Sequence, residues 1–112
     1  MSEQMSMTAV QEQVDTWMTD QGVRYFCDLI NMAMVTEGVG EVARIMARRY
    51  GEQSEKESDT GKDLGSELAD VLFVVLCLAN QTNTDLQQAW TQRMEDKTKR
   101  DSDRHKNNPK LR

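Results

Sequence analysis

Apolar positions recur with a helical period along most of this chain, and its one proline, Pro109, lies near the end, so nothing earlier forces a helix to break. A first helix is expected over 8–20, with Val10, Val14, Trp17 and Met18 on one face and Gly22 ending it. A second is expected over 25–50, stopped by Gly51. The polar, patternless stretch EQSEKESDTGK at 52–62 reads as an exposed loop. A third helix is expected over 63–81. Its nine-residue apolar run at 71–79 could by itself be a buried strand, but the pattern continuing from Leu64 is too long for one. Being apolar nearly all round, this helix should be central, covered by other helices or by a second subunit. Thr84 opens a fourth with a capping-box spacing to Gln87, and Leu86, Ala89, Trp90, Arg93 and Met94 carry it to about residue 100. The remaining sequence, DSDRHKNNPKLR, reads as a polar tail, with 105–112 beyond an ordered core over about 8–104.

Composition narrows the picture. A chain of 112 residues suits a single domain over 1–112. An aromatic share of 5% with eight Met favours helix over sheet. The net charge of −5 argues against a nucleic-acid partner, because the only basic concentration, 97–112, is short and interrupted by acids. Cys27 and Cys77 have neither a Cys-x-x-Cys spacing nor a histidine companion, and read as two free core thiols in a reducing compartment. The first residues show no signal-peptide pattern, and a nine-residue apolar run cannot span a bilayer; a cytoplasmic protein without a membrane partner is expected.

The candidate chemistry comes from acids that fall on apolar faces. At about 100° per residue, Ile30, Met34, Glu41 and Ile45 share a narrow stripe of the second helix with Glu37 at its edge. Glu67 lies with Val71, Val74 and Leu78 on the third, and Asp70 is one step aside. The plain alternative is that these acids are solvated or paired with Arg44, Arg48 or Arg49. If all four converge, each like-charge pair about 4 Å apart costs about 4 kcal/mol at an effective dielectric near 20. Arginine could offset that, and a hard divalent cation would do so more fully; oxygen ligands suit magnesium or manganese. The one histidine, His105, reads as a solvated tail residue, which disfavours a di-iron centre. Gly38 and Gly40, two glycines in one helical turn, ask for close packing or room for a ligand. Trp17, Tyr25 and Trp90 could stack on a base, although core packing is the better reading.

The segment TEGVGEVARIMARRYGE, followed after a polar loop by ELADVLFVVLCLANQTNTDL, resembles the MazG-type nucleotide pyrophosphohydrolases, in particular their short single-domain members. Their signature is Glu-Glu-x-x-Glu on one helix and Glu-x-x-Asp on the next, and the resemblance spans about 8–104. It implies an all-α, four-helix MazG-like bundle that oligomerises through its central helices as a homodimer or homotetramer, with sites where subunits meet. It implies magnesium-dependent (or manganese-dependent) hydrolysis of a nucleoside or deoxynucleoside triphosphate to the monophosphate and pyrophosphate, as in house-cleaning of the nucleotide pool. Carried over, the metal ligands are Glu37, Glu41, Glu67 and Asp70, with Glu37 and Glu41 positioning or deprotonating the attacking water. Arg44, Arg48, Lys97 and Arg100 are the candidates for holding phosphates. The second Glu of the pair falls on Gly38, a departure at a ligand position, so the same features also allow a nucleotide-binding or regulatory helical module with weak or no turnover.

Overall fold

The computed structural model describes residues 4–52 and 63–112, and among these the regular structure is helical throughout. Helix α1, Met7–Asp20, begins where the Ser6 hydroxyl accepts from the Ala9 amide at 3.0 Å. Gly22, at φ +68, turns the chain out of it, a backbone conformation that a side chain would strain. Helix α2, Asp28–Arg49, starts three residues later than its pattern suggested, because Cys27 is extended (φ −60, ψ 154). Phe26 is tied instead to the next layer, its carbonyl accepting from the Asn31 and Gln81 amides. Gly51 does stop α2: a Cβ there would run into the Ala47 carbonyl oxygen. The expected loop falls almost wholly on 53–62, outside the described residues.

Helix α3, Leu64–Gln81, is capped by Asp63, whose carboxylate accepts from the Gly65 amide at 2.9 Å and the Ser66 hydroxyl at 3.1 Å. Those bonds hold the Asp63 carboxyl below its ordinary range, the charged form being the better acceptor. Helix α4, Leu86–Lys106, corrects two expectations. Its cap is Asp85, which accepts from the Gln88 amide at 3.1 Å, not Thr84. Thr84 pairs with the Thr82 hydroxyl at 2.8 Å, and Gln87 Oε1 takes the Met7 amide at 2.8 Å, clipping α4 to α1. The helix also runs six residues past 100, into sequence that read as tail. Asp101 there bridges Arg100 (2.8 Å) and Arg104 (3.7 Å), and Arg104 and Lys106 place positive charge at the negative end of the helix dipole. A 3-10 turn, Pro109–Leu111, follows.

Helix α3 is central, as its apolar surface required. Helix α1 packs antiparallel on it, joined by Gln11–Asn80 at one end and the edge-on Trp17–Phe73 ring pair, 5.8 Å between centroids, at the other. Helix α2 packs antiparallel on another side, with Asn31 at Gln81 and Gly38 at Val71. Helix α4 packs chiefly on α1 and buries none of its residues. The core is small: Val14, Leu76 and Cys77 form its centre, ringed by Val10, Met18, Tyr25 and Leu86, and Ile45 is the most deeply buried large side chain.

Three sequence expectations need correcting here. Only Cys77 is a core thiol; Cys27 is exposed at the start of α2. Burial raises the Cys77 pKa, so this thiol stays protonated. Trp17 and Trp90 are not core residues but are half exposed. The nine-residue run understates α3, whose 18 residues reach a mean hydropathy of 1.4, enough by length and composition for a bilayer span, with only 22% of them buried.

Candidate functional site

The seam between α2 and α3 carries the acids. Its closest approach is at Gly38, where an added Cβ would meet Val71 Cγ2 at 3.0 Å. Glu37 adjoins one member of that contact and Asp70 the other, so these two residues flank it on facing helices. Glu41 and Glu67 each lie about one turn toward the other end of the seam, and in an antiparallel pair those turns face each other. The stripe of α2 that meets α3 is therefore Asn31, Gly38 and Ile45, one step round from the stripe read in the sequence; Ile30 and Met34 remain 51% and 37% exposed.

The side chains themselves are not gathered. Among the described residues no three carboxylate, imidazole or thiol groups lie together as a metal site would need. Glu41 and Glu67 are partly buried, while Glu37 and Asp70 are exposed. Glu41 Oε2 is held by Arg44 Nη2 at 2.8 Å, so the plain alternative of an arginine partner is realised for Glu41. The donor set still fits a hard cation in kind, being four carboxylates with no nitrogen or sulfur among them.

Of the basic candidates, Arg44 and Arg48 share the side of α2 that bears Glu37 and Glu41, and both are partly buried. Lys97 and Arg100 lie on α4, which packs on α1, so they are not among the groups collected at the α2/α3 seam. Arg100 makes a two-pronged pair with Asp101, Nε at 3.0 Å and Nη2 at 2.8 Å, which raises the guanidinium pKa and lowers that of the carboxyl.

The two glycines separate cleanly. Gly40 has open space around its would-be Cβ, whereas Gly38 is where α3 comes close. Gly38→Ala should therefore cost about 1 kcal/mol net, a crowding penalty of roughly 1–3 kcal/mol against about 1 kcal/mol of helix propensity, since a β-branched Val71 has one good rotamer in a helix. Gly40→Ala should instead gain about 1 kcal/mol. Urea denaturation of both variants checks this, and a stabilising Gly38→Ala would show that the seam has slack.

Two polar groupings escaped the sequence reading. One joins α1 and α3 to the connections that lead into α2 and α4. The Tyr25 hydroxyl donates to Asp15 Oδ1 (2.7 Å) and accepts from Asn80 Nδ2 (3.0 Å). Gln11 Nε2 donates to Asn80 Oδ1 (3.1 Å) and the Thr84 carbonyl (2.9 Å). Burial, with the Asp15 bond next, pushes Tyr25 up to about 12, so the phenol stays a neutral donor. The other is Asn31, 3% exposed, whose Nδ2 donates to Gln81 Oε1 at 2.7 Å. The available signal was an asparagine one seam position, seven residues, before Gly38 in an otherwise apolar stretch.

Comparison with known proteins adds family context. The family model described as the MazG nucleotide pyrophosphohydrolase domain matches residues 28–106. The uncharacterized protein YpjD of Bacillus subtilis (strain 168) is 38% identical over 99 residues, 88% of this chain and 89% of its own length. A crystal structure of B. subtilis YPJD, to which a pyrophosphatase activity is ascribed, superposes with a TM-score of 0.76 at 37% identity, covering 90% of this chain and all of that one. The Bacillus-conserved MazG protein, a nucleotide pyrophosphohydrolase, superposes with a TM-score of 0.70 at 38% identity, covering 91% of this chain and 99% of its own.

Proposed function

The chain belongs to the MazG nucleotide pyrophosphohydrolase family, and from that premise we propose that it hydrolyses nucleoside or deoxynucleoside triphosphates to monophosphate and pyrophosphate. What supports this reading is that Glu37 and Glu41 on α2, and Glu67 and Asp70 on α3, each lie within about one turn of the Gly38–Val71 contact between the two helices, although their side chains are not gathered there. Those four carboxylates would hold magnesium, with manganese as a substitute. Bound there, the ion would neutralise phosphate charge and make a bound water more acidic. Glu37 or Glu41 would orient an attacking water and take its proton as the water oxygen bonds to the α-phosphorus, while the bond from that phosphorus to the bridging oxygen breaks and pyrophosphate leaves. Arg44 and Arg48, on the same side of α2, offer positive charge to the departing phosphates, whereas Lys97 and Arg100 on α4 lie away from this seam and would contribute only from a neighbouring subunit. The role we assign is house-cleaning of the nucleotide pool in the cytoplasm.

A homodimer or homotetramer built through α2 and α3 accompanies this reading. Leu29, Met32 and Val39 of α2 are 79%, 53% and 52% exposed, and Leu68 and Leu72 of α3 are 51% and 47% exposed, more apolar surface than a soluble monomer ordinarily leaves open. Light scattering at the mass of one chain, 12.9 kDa, would overturn it.

Incubation with a panel of triphosphates and magnesium, with pyrophosphate and monophosphate assayed together, tests the hydrolase. Equal amounts of both products from at least one substrate are expected, and no product from any of them would overturn it. Gly38, where the signature has Glu and where α3 leaves little room, favours the second reading of a nucleotide-binding module without turnover. That reading predicts a nucleotide-dependent rise in melting temperature with no pyrophosphate.

A further inference from the structure

A cavity of about 330 Å³ lies between α1, the connection into α2, α2 itself and α3. Trp17, Phe26 and Phe73 give it aromatic walls and Met34, Val74 and Cys77 much of its apolar interior; Arg24 and Tyr25 also line it, the Arg24 guanidinium donating to the Tyr25 carbonyl at 3.2 Å. Trp17 and Phe26 are 50% and 58% exposed. Met34 is one turn before Glu37 on α2, and Phe73 one turn after Asp70 on α3, so the cavity continues the seam that carries the acids. From Asn31 to Glu37 the helical rise is roughly 9 Å, of the order separating a nucleotide's base from its phosphates.

Asn31 is the buried polar group lining this cavity, and its orientation follows from its neighbours. The Phe26 carbonyl can only accept, and Gln81 Nε2 donates to it, which turns Gln81 Oε1 toward Asn31. Asn31 Nδ2 then donates to Gln81 Oε1 at 2.7 Å and to the Phe26 carbonyl at 3.4 Å, using both its protons. Oδ1 is left over, and among the described residues nothing donates to it. No fully buried side-chain polar atom among the described residues is without a partner, so Oδ1 is not sealed in protein but opens on the cavity that Asn31 lines. An aromatic-walled cavity with a buried, fixed acceptor at Asn31 suits a planar ring that carries an N–H donor.

We propose that this cavity holds the nucleobase, and that Asn31 Oδ1 selects bases presenting an amino group at that edge, adenine or cytosine, over uracil, which presents a carbonyl there. The inference rests on the nucleotide reading above and names the part of the substrate that the acids do not touch. Asn31 is a specificity-determining residue and takes no part in bond breaking, so its effect belongs in KM and not in kcat.

The test measures pyrophosphate release by the full chain from ATP, CTP and UTP. ATP or CTP should exceed UTP about tenfold in kcat/KM, the worth of one hydrogen bond in a dry site. Asn31→Leu should raise KM for the favoured substrate about tenfold with kcat nearly unchanged, and should erase the preference. UTP equal to or better than both others, or an unchanged KM in a folded variant, would overturn the proposal while leaving the hydrolase standing. Should Asn31→Leu fail to keep the wild-type circular dichroism, the deletion is made in the ligand: purine riboside triphosphate, lacking only the amine of ATP, should lose the same tenfold with the wild-type protein, and equal KM values would overturn the assignment. If no triphosphate is cleaved at all, quenching of Trp17 fluorescence in a Trp90→Phe background by AMP, CMP and UMP decides separately. A preference for AMP or CMP supports the base site even as the hydrolase falls, and equal or absent quenching removes it.

Discussion

Glu67→Gln should lower the rate of pyrophosphate release by about 10³-fold, the scale on which positioned acid–base and electrostatic groups act. Glutamine keeps the length and helix propensity of glutamate and removes only its charge. Glu67 is partly buried on the seam-facing side of α3, one turn before the Val71 that meets Gly38, and its backbone needs no rearrangement to accept the change. The variant should fold as the wild type does. It should nonetheless lose the magnesium-dependent rise in melting temperature produced by a non-hydrolysable triphosphate, because ligand binding stabilises the native state only in proportion to its affinity. A melting shift equal to that of the wild type would remove Glu67 from the site even if activity fell.

The legible part of this protein was the part written in periodicity. The third helix had to be central because no face of it was polar, and α1 and α2 do pack on it. What periodicity could not show was the rotation of α2. Ile30, Met34 and Ile45 read as its apolar stripe, and of these Ile45 is buried while Ile30 and Met34 are not; a glycine offers no side chain to a hydrophobic pattern, and it is Gly38 that lets α3 come close. The seam accordingly turns one step toward Gly38 and Asn31, and Asn31 is polar for a local reason that spacing cannot convey: the Phe26 carbonyl and Gln81 need a partner there. The end of α4 was missed in the same way. DSDRHK looks like tail because it is wholly polar, yet an exposed helix end can be sustained by ion pairs such as those of Asp101. The acids stood out because carboxylates on apolar faces demand an explanation, and a pair of matched motifs on consecutive helices was specific enough to suggest one.

The fold's sensitivity should be greatest at Ile45. This side chain is 2% exposed, the most deeply buried large residue, and it stands one turn beyond Glu41 on the seam-facing side of α2. Ile45→Ala removes buried methyl and methylene groups and leaves a cavity between α2 and its neighbours, a change that typically costs 2–5 kcal/mol. Domains of this size are usually stable by about 5–15 kcal/mol, so much of that margin would go. Urea denaturation at one fixed protein concentration measures the loss without confounding it with subunit dissociation. Ile45→Val should fall between, at about 1 kcal/mol, since it deletes a single methyl. Activity should follow stability in this series, because Glu41 depends for its position on the turn that Ile45 anchors. A loss below about 1 kcal/mol in Ile45→Ala would mean that the α2/α3 seam does not hold the fold together, and the acids would then have no rigid frame on which to meet.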